Sequence, residues 1–171
     1  MPPQKYILKV CLLGDGAVGK TSLVRRFVFN AFDDKYLQSF GTKVSKKTVL
    51  LEDAEVNLMV WDILGQRTQK NLHAAYYRGA SGALAVCDCT RPETLQSLSS
   101  WIDGFLSAVG EAPIIVLVNK SDLDPAFPLD DVRSFSDSIG SLFMETSAKT
   151  GENVEEAFAE ITRRMVTGDS E

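Results

Sequence analysis

The sequence predicts an α/β fold, a mostly parallel sheet with one antiparallel edge strand, and three observations support this. First, nearly continuous apolar runs at 6–13, 83–87 and 114–118 are typical of strands buried on both faces. Second, amphipathic segments with a repeat of three to four residues alternate with these runs. Third, two strand-like segments, 44–51 and 55–61, are separated by only three residues. Because a parallel crossover needs a dozen residues or more, this pair must form an antiparallel hairpin.

The remaining elements follow from local patterns. After the first strand, apolar residues at 23, 24, 27 and 28 indicate a helix. Residues 94–109 and 153–166 each carry one apolar stripe at helical spacing, and a shorter strand is expected at 142–146. Asn153 followed by Glu156 predicts a capping box at the start of the last helix.

Composition indicates one globular domain that spans residues 1–171. The net charge of −5 argues against nucleic acid and anionic lipid as partners, since both attract clustered positive charge. Cys11, Cys87 and Cys89 have no CxxC spacing, which disfavours disulfides and zinc and favours a reducing, cytoplasmic location. No apolar run reaches the roughly 18 residues needed to cross a bilayer. No signal peptide, myristoylation glycine or terminal prenylation cysteine is evident either, so no intrinsic membrane anchor is expected.

A phosphate-binding loop is predicted directly after the first strand. Residues 14–21, GDGAVGKT, match GxxxxGK[ST] between a strand and a helix, the arrangement of a P-loop NTPase. Glycines let successive backbone N–H groups point at phosphate oxygens, Lys20 would reach the β and γ phosphates, and the Thr21 hydroxyl would hold Mg²⁺. The nucleotide contacts expected on this side are Asp15, Gly16, Ala17, Val18, Gly19, Lys20, Thr21 and Ser22. Read alone, the segment is also compatible with a glycine-rich turn without a ligand.

A metal and water site is predicted where the strand 55–61 runs into DILGQ. A carboxylate at the end of a strand beside a phosphate loop can join the shell of Mg²⁺, which assigns Asp62 to the metal. The N–H of Gly65 would approach the γ-phosphate. Gln66 would orient the attacking water, because its amide both accepts and donates hydrogen bonds.

A base-binding side is predicted after the strands at 114–118 and 142–146. The ionised carboxylate of Asp122 only accepts hydrogen bonds, which suits the adjacent N1–H and amine of guanine. The Ala148 N–H would donate to guanine O6. Lys120 and Lys149 would lay their aliphatic stems over the base. The segments involved are NKSD and SAK, from which Asn119 and Ser147 are also assigned to the nucleotide.

GDGAVGKT, DILGQ, NKSD and SAK occur in an order and at spacings that resemble the Ras superfamily of small GTPases over essentially the whole chain. The resemblance implies a six-stranded sheet with five flanking helices. It also implies a switch between GTP-bound and GDP-bound states, with slow hydrolysis that an activating protein accelerates. An exchange factor and effectors are the other implied partners.

The resemblance places two switch segments, at about 31–42 and 62–78. In the first, Phe32 would lie edge-on to guanine and Tyr36 would cover the phosphates. Ser39 stands where the family normally has a threonine that binds Mg²⁺ and the γ-phosphate.

The stretch Gly41–Lys47, followed by the WD–GQ loop, most resembles the Rab branch and its prokaryotic relatives. Lysines 43, 46 and 47 on the edge strand either face an acidic partner or protect the edge from aggregation. Tyr76 and Tyr77 are candidates for a partner surface, and Trp101 for core packing.

Three functions compete at this point. The first is a hydrolysing switch, for which no arginine of the chain itself is expected at the site, so an outside group would complete it. The second is a non-hydrolysing guanine-nucleotide scaffold, which the intact Gln66 and the room beside Gly16 disfavour. The third is a small-molecule kinase, which would need an arginine-rich lid and would leave NKSD without a purpose.

Overall fold

A computed structural model of the protein describes residues 2–30, 42–63 and 70–168, with residues 42, 63 and 70–73 described by their backbone alone. The strands are β1 (Gln4–Leu13), β2 (Thr42–Leu50), β3 (Ala54–Ile63), β4 (Gly82–Asp88), β5 (Ile114–Asn119) and β6 (Leu142–Glu145). The helices are α1 (Lys20–Phe29), α2 (Lys70–Tyr77), α3 (Pro92–Gln96), α4 (Leu98–Val109), α5 (Leu129–Ser138) and α6 (Val154–Thr167).

The described strands form one sheet in the order β2–β3–β1–β4–β5–β6. Only the β2–β3 pair is antiparallel, and the other neighbours run parallel. This confirms the predicted architecture, including the single antiparallel strand at the edge. The hairpin arises because the short link between β2 and β3 cannot cross the sheet.

Helices cover both faces of the sheet, as the continuous apolar strands predict. Every residue of β4 and β5 is buried, and alternate residues enter two separate cores. α1 and α6 pack on one face, where the rings of Phe27 and Phe158 stack with centroids 3.9 Å apart. α4 and α5 pack on the other face. Burial raises the pKa of the Cys11 and Cys87 thiols to about 12, so both act as small apolar residues.

Three local expectations need correction. The helix expected over 94–109 divides at Ser97 into α3 and α4, although the Ser97 backbone keeps helical angles. Counted as one broken helix, the pair leaves the five helical segments of the family fold within the described residues. The capping box is wrong, because Asn153 has a left-handed backbone (φ 58°) and donates to the Glu145 carbonyl at 2.9 Å instead. Tyr77 is 2% exposed and packs edge-on to Phe105, so it is a core residue.

The position of β1 determines where a ligand can bind. β1 lies between β3 and β4, so β2 and β3 are added on one side of it and β4, β5 and β6 on the other. In open α/β sheets such a switch point opens a crevice at the carboxyl ends of the strands. The loops after β1, β3, β4 and β5 all begin at this edge. Within the described residues, no helix has both the length and the apolar character needed to cross a bilayer.

Candidate functional site

The loop between β1 and α1 approaches its neighbours so closely that two of its glycines leave no room for a side chain. A Cβ atom on Gly14 would lie 2.3 Å from the Val86 carbonyl oxygen, and one on Gly19 would lie 2.2 Å from Nδ2 of Asn119. Both glycines also have positive φ angles, 138° and 102°. Gly16 differs from them, because no atom of the described residues lies within 4 Å of where its Cβ would be. Room for the γ-phosphate beside Gly16 stays a prediction.

Side chains from outside this loop fix the direction of its peptide groups. Three successive carbonyl oxygens each accept one hydrogen bond: Gly16 from Arg91 Nη1 at 3.1 Å, Ala17 from Lys120 Nζ at 2.9 Å, and Val18 from Asn119 Nδ2 at 2.9 Å. In a planar trans peptide the C=O and the following N–H point in opposite directions. The N–H groups of residues 17, 18 and 19 therefore turn away from these side chains. Such a concave row of N–H groups binds anions.

Lys20 is the buried cation of the loop. Its side chain is 6% exposed, and Nζ donates to the carbonyls of Gly14 at 2.8 Å and Asp15 at 2.9 Å. Burial lowers the pKa of Lys20 to about 8, although the carboxylates of Asp62 and Asp15 oppose this shift. An ammonium group held in this way lacks a full counter-charge, which the oxygens of a polyphosphate can supply.

Thr21 and Asp62, two of the three residues predicted to hold Mg²⁺, contact each other. Thr21 Oγ1 donates to Asp62 Oδ2 at 2.5 Å across the end of β3. Asp62 is 3% exposed, and its other oxygen, Oδ1, is buried without a hydrogen-bond partner among the described residues. A buried carboxylate oxygen left in this state is costly unless a cation or donor joins it. A hydroxyl and a carboxylate beside a phosphate loop are the oxygen ligands that suit Mg²⁺.

Two side chains at the phosphate loop were not found from the sequence. Trp101, expected to be only a packing residue, donates its indole N–H to Asp15 Oδ1 at 2.9 Å. Arg91 reaches Gly16 although no arginine of the chain was expected at the site. Arg91 follows the end of β4 by three residues, and β4 is the neighbour of β1 in the sheet. This position is the signal that would have identified Arg91.

The base side of the site is built on the loops after β5 and β6. Asp122 is exposed, and its Oδ1 accepts a hydrogen bond from Ser147 Oγ at 2.7 Å. The loops are held together by Ser121 N–H, which donates to the Thr146 carbonyl at 2.9 Å, and by Thr146 N–H, which donates to Val118. Two of the predicted base-binding segments, NKSD and SAK, therefore lie side by side.

Lys120 joins the base side to the phosphate side. Besides its bond to the phosphate loop, Nζ lies 2.8 Å from the buried carboxylate of Asp88. Burial alone raises the pKa of Asp88, but hydrogen bonds from Lys120 and Thr90 outweigh it, so the pKa is lowered. Asp88 therefore stays ionised and fixes the far end of Lys120. The aliphatic stem that leads from the backbone to this ammonium group is the part predicted to lie along a base.

Asn119 is 1% exposed, and the described residues already engage both ends of its amide. Nδ2 donates to the phosphate loop, and Oδ1 accepts from Thr146 Oγ1 at 3.1 Å. Its evident role is to brace the loops against each other.

Around residues 147–149, Ala148 is buried and Lys149 is exposed. Arg26 donates to both of their carbonyl oxygens.

Five predicted contacts, Phe32, Tyr36, Ser39, Gly65 and Gln66, lie outside the described residues.

Comparison with known proteins gives one consistent result. A sequence model of the Ras family matches residues 9–167. Ras-related protein Rab-22A of Homo sapiens is 40% identical over 167 residues, which cover 95% of this chain and 86% of the relative. Ras-related protein Rab-21 of Dictyostelium discoideum is 36% identical over 165 residues, covering 95% and 78%. Ras-related protein RABA4b of Arabidopsis thaliana is 36% identical over 156 residues, covering 90% and 70%.

Proposed function

The chain belongs to the Ras family, as a Rab-like small GTPase that binds and hydrolyses GTP, and on that premise we propose that it is a molecular switch. In this proposal, GTP with Mg²⁺ holds the segments at about 31–42 and 62–78 in a conformation that effectors bind. Hydrolysis to GDP and phosphate releases them. We also propose that residues 1–171 form one such domain.

The observation that carries the proposal is the connection between the two halves of the site. Lys120 contacts Ala17 of the phosphate loop and follows directly after the end of β5, two residues before Asp122. Asn119 makes a second connection, from Val18 to Thr146. A triphosphate on one side and a guanine on the other would therefore be held by groups already fixed to each other.

On the phosphate side, the N–H groups of residues 17–19 and the ammonium of Lys20 would contact the β and γ phosphates. Thr21 and Ser39 would bind Mg²⁺ and Asp62 would join its shell, and the metal would neutralise charge on the transferring group. Gln66 would hold the attacking water in line with the γ-phosphorus. The water oxygen would then bond to phosphorus as the bond to the bridging oxygen breaks, the proton lost by the water would pass to the released phosphate, and GDP would leave.

An outside group remains part of the proposal. Arg91 is the described arginine at the phosphate loop, and its guanidinium is engaged by the Gly16 carbonyl and by Glu93. We therefore expect an activating protein to supply the group that stabilises charge on the γ-phosphate. Such a group accelerates hydrolysis by about 10³–10⁵ in enzymes of this kind.

Effectors would bind the face of the β2–β3 hairpin that carries Val44 and Trp61, beside the two switch segments. Val44 is 42% exposed there, and Trp61 and Tyr76 lie with ring centroids 6.4 Å apart. Lys46 is exposed, but Lys47 bonds to the Phe27 carbonyl on the other face. Of the lysines at 46 and 47, only Lys46 is thus placed for an acidic partner on this face.

A cytoplasmic location stays a prediction, which the three buried free cysteines support.

The test is nucleotide binding followed by single-turnover hydrolysis. We expect fluorescent GDP and GTP to bind in millimolar Mg²⁺ and ATP to compete at least about a hundredfold more weakly, because Asp122 requires the donors of guanine. Gln66→Leu should leave binding intact and slow the release of phosphate. A wild-type protein that binds GTP without hydrolysing it would support the scaffold function instead. Comparable affinity for ATP would overturn the assignment of Asp122.

A further inference from the structure

Arg26 lies on α1, six residues after Lys20, and all three of its guanidinium nitrogens are hydrogen-bonded. Nε donates to the Ala148 carbonyl at 2.8 Å, and Nη2 donates to the Lys149 carbonyl at 2.6 Å. Nη1 donates to Asn30 Oδ1 at 3.2 Å, at the end of the same helix. A planar guanidinium bonded to two successive carbonyls restrains both the position and the rotation of that backbone.

The bond to Lys149 continues as a chain towards the base site. Because the peptide between Lys149 and Thr150 is trans, fixing its carbonyl also fixes the direction of the Thr150 N–H. That N–H donates to Ser147 Oγ at 3.1 Å, and Ser147 Oγ donates to Asp122 Oδ1 at 2.7 Å. Arg26 is therefore linked through successive hydrogen bonds to the carboxylate that selects the base. Hydrogen bonds in such chains polarise and strengthen one another.

The second bond acts on the other base contact. Holding the Ala148 carbonyl sets the plane of the peptide that begins Lys149, directly after the N–H predicted to meet guanine O6. The Ser147 carbonyl accepts from Gly151 N–H at 2.8 Å, which fixes the preceding peptide as well. Within the described residues no group accepts a hydrogen bond from the Ala148 N–H, so that donor remains free for a ligand.

We infer that Arg26 is a positioning residue for base selection: it orients Asp122 and the loop at 147–149 from a helix whose first turn carries Lys20 and Thr21. This inference rests on the proposed function, since it assigns Arg26 to the guanine end of the same site. It differs from a purely structural clamp, because it places the effect of Arg26 in the discrimination between bases.

The experiment compares GDP with IDP, which lacks the 2-amino group that Asp122 would bind. Competition against fluorescent GDP gives the affinity ratio for wild type, Arg26→Met and Arg26→Lys. Methionine keeps an apolar stem, and lysine keeps the charge but cannot span two carbonyls in a plane. We expect Arg26→Met to reduce the GDP-to-IDP preference about three- to tenfold, the scale of one to two hydrogen bonds, with partial recovery in Arg26→Lys.

Ser147→Ala breaks the same chain closer to Asp122 and should reduce the preference similarly. In the double variant with Arg26→Met, the two losses should be less than additive. Arg133→Met is the matched control, because among the described residues Arg133 on α5 pairs with Asp130 and with the ring of Phe143 on β6, and with neither residues 147–149 nor Asp122. It should leave the preference unchanged.

An unchanged GDP-to-IDP preference in both Arg26 variants would overturn the inference, even if melting temperature falls. If Arg26→Met does not fold, Arg26→Lys and Ser147→Ala decide the question. Failure of the proposed function has a different signature, since the wild-type protein itself would then show no preference for guanine nucleotides.

Discussion

Gly19 and Gly16 stand three residues apart in the phosphate loop, yet a methyl group would meet different surroundings at the two positions. At Gly19 it would enter the space of Nδ2 of Asn119, the donor that holds the Val18 carbonyl. At Gly16 it would meet no atom of the described residues within 4 Å. The motif in the sequence marks both glycines, but only the packed structure separates the one that fits its neighbours from the one that leaves room for a ligand.

Gly19→Ala should therefore disrupt the loop. The side chain must displace Asn119 and adopt a positive φ, a conformation that costs about 1–2 kcal/mol for an L-residue. We expect GDP affinity to fall by about tenfold or more, since one to two kcal/mol corresponds to that factor. Gly16→Ala is the control, and GDP binding by this variant should remain within about threefold of wild type. Equal losses at both positions would contradict this account.

At the scale of the element, α1 and α6 are held together by the stacked rings of Phe27 and Phe158. Both rings are buried, and the helices carry residues on either side of the site: Lys20 begins α1, and α6 follows the loop at 147–149. The stripe on each helix predicts a buried face from the sequence alone. Which residue meets which across the interface depends on the sheet between them and is not visible in either stripe.

Phe158→Ala should lower the free energy of unfolding by about 3–5 kcal/mol, the usual cost of removing a fully buried phenyl ring from a packed core. Urea denaturation of the GDP-bound protein measures this change. Phe29→Ala removes the same group from a position that is 64% exposed and should change stability by less than about 0.5 kcal/mol. A loss below about 1 kcal/mol for Phe158→Ala would show that this interface does not stabilise the fold.

The elements that the sequence identifies are those with strong apolar patterns. β4 and β5 are apolar throughout because both faces are covered, whereas α5 offers no comparable signal. Of α5 only Val132 and Ser136 are buried, and Leu129 and Phe135 pack partly exposed against the core, so its stripe holds fewer apolar residues than that of α4. Asn153 shows the opposite error, because a local capping pattern was overridden by a tertiary bond to Glu145.

For the whole molecule, the site is an assembly of loops that are far apart along the chain. Arg26 and Ala148 are separated by 122 positions, and Asn119 and Val18 by 101. The motifs predict that these loops share an edge, because parallel strands place their carboxyl ends together. The bracing bonds from Arg91, Arg26 and Trp101 carry no motif, since any donor at the right distance can hold a backbone carbonyl or a carboxylate.

A ligand that contacts all of these loops should stabilise the fold as a unit. GDP with Mg²⁺ at about 100 times its dissociation constant adds about 2.7 kcal/mol. For a chain of this size that corresponds to a rise in melting temperature of roughly 5–10 °C. Thermal unfolding with GDP, with ADP and with GDP plus EDTA measures the effect. ADP should give no shift and EDTA should reverse part of it, and an equal shift with ADP would contradict the assigned base site.

The antiparallel hairpin has one more consequence. Within the described residues its ladder begins with the pair Thr42 on β2 and Ile63 on β3 and continues without interruption to Leu50 and Glu55. The two segments assigned to switching therefore join the hairpin at neighbouring positions, which are paired with each other. A shift of β2 along β3 would break the whole ladder, because a shift of one residue exchanges the two faces of a strand. A regulator that binds either segment close to the strand end from which it extends thus acts on both segments.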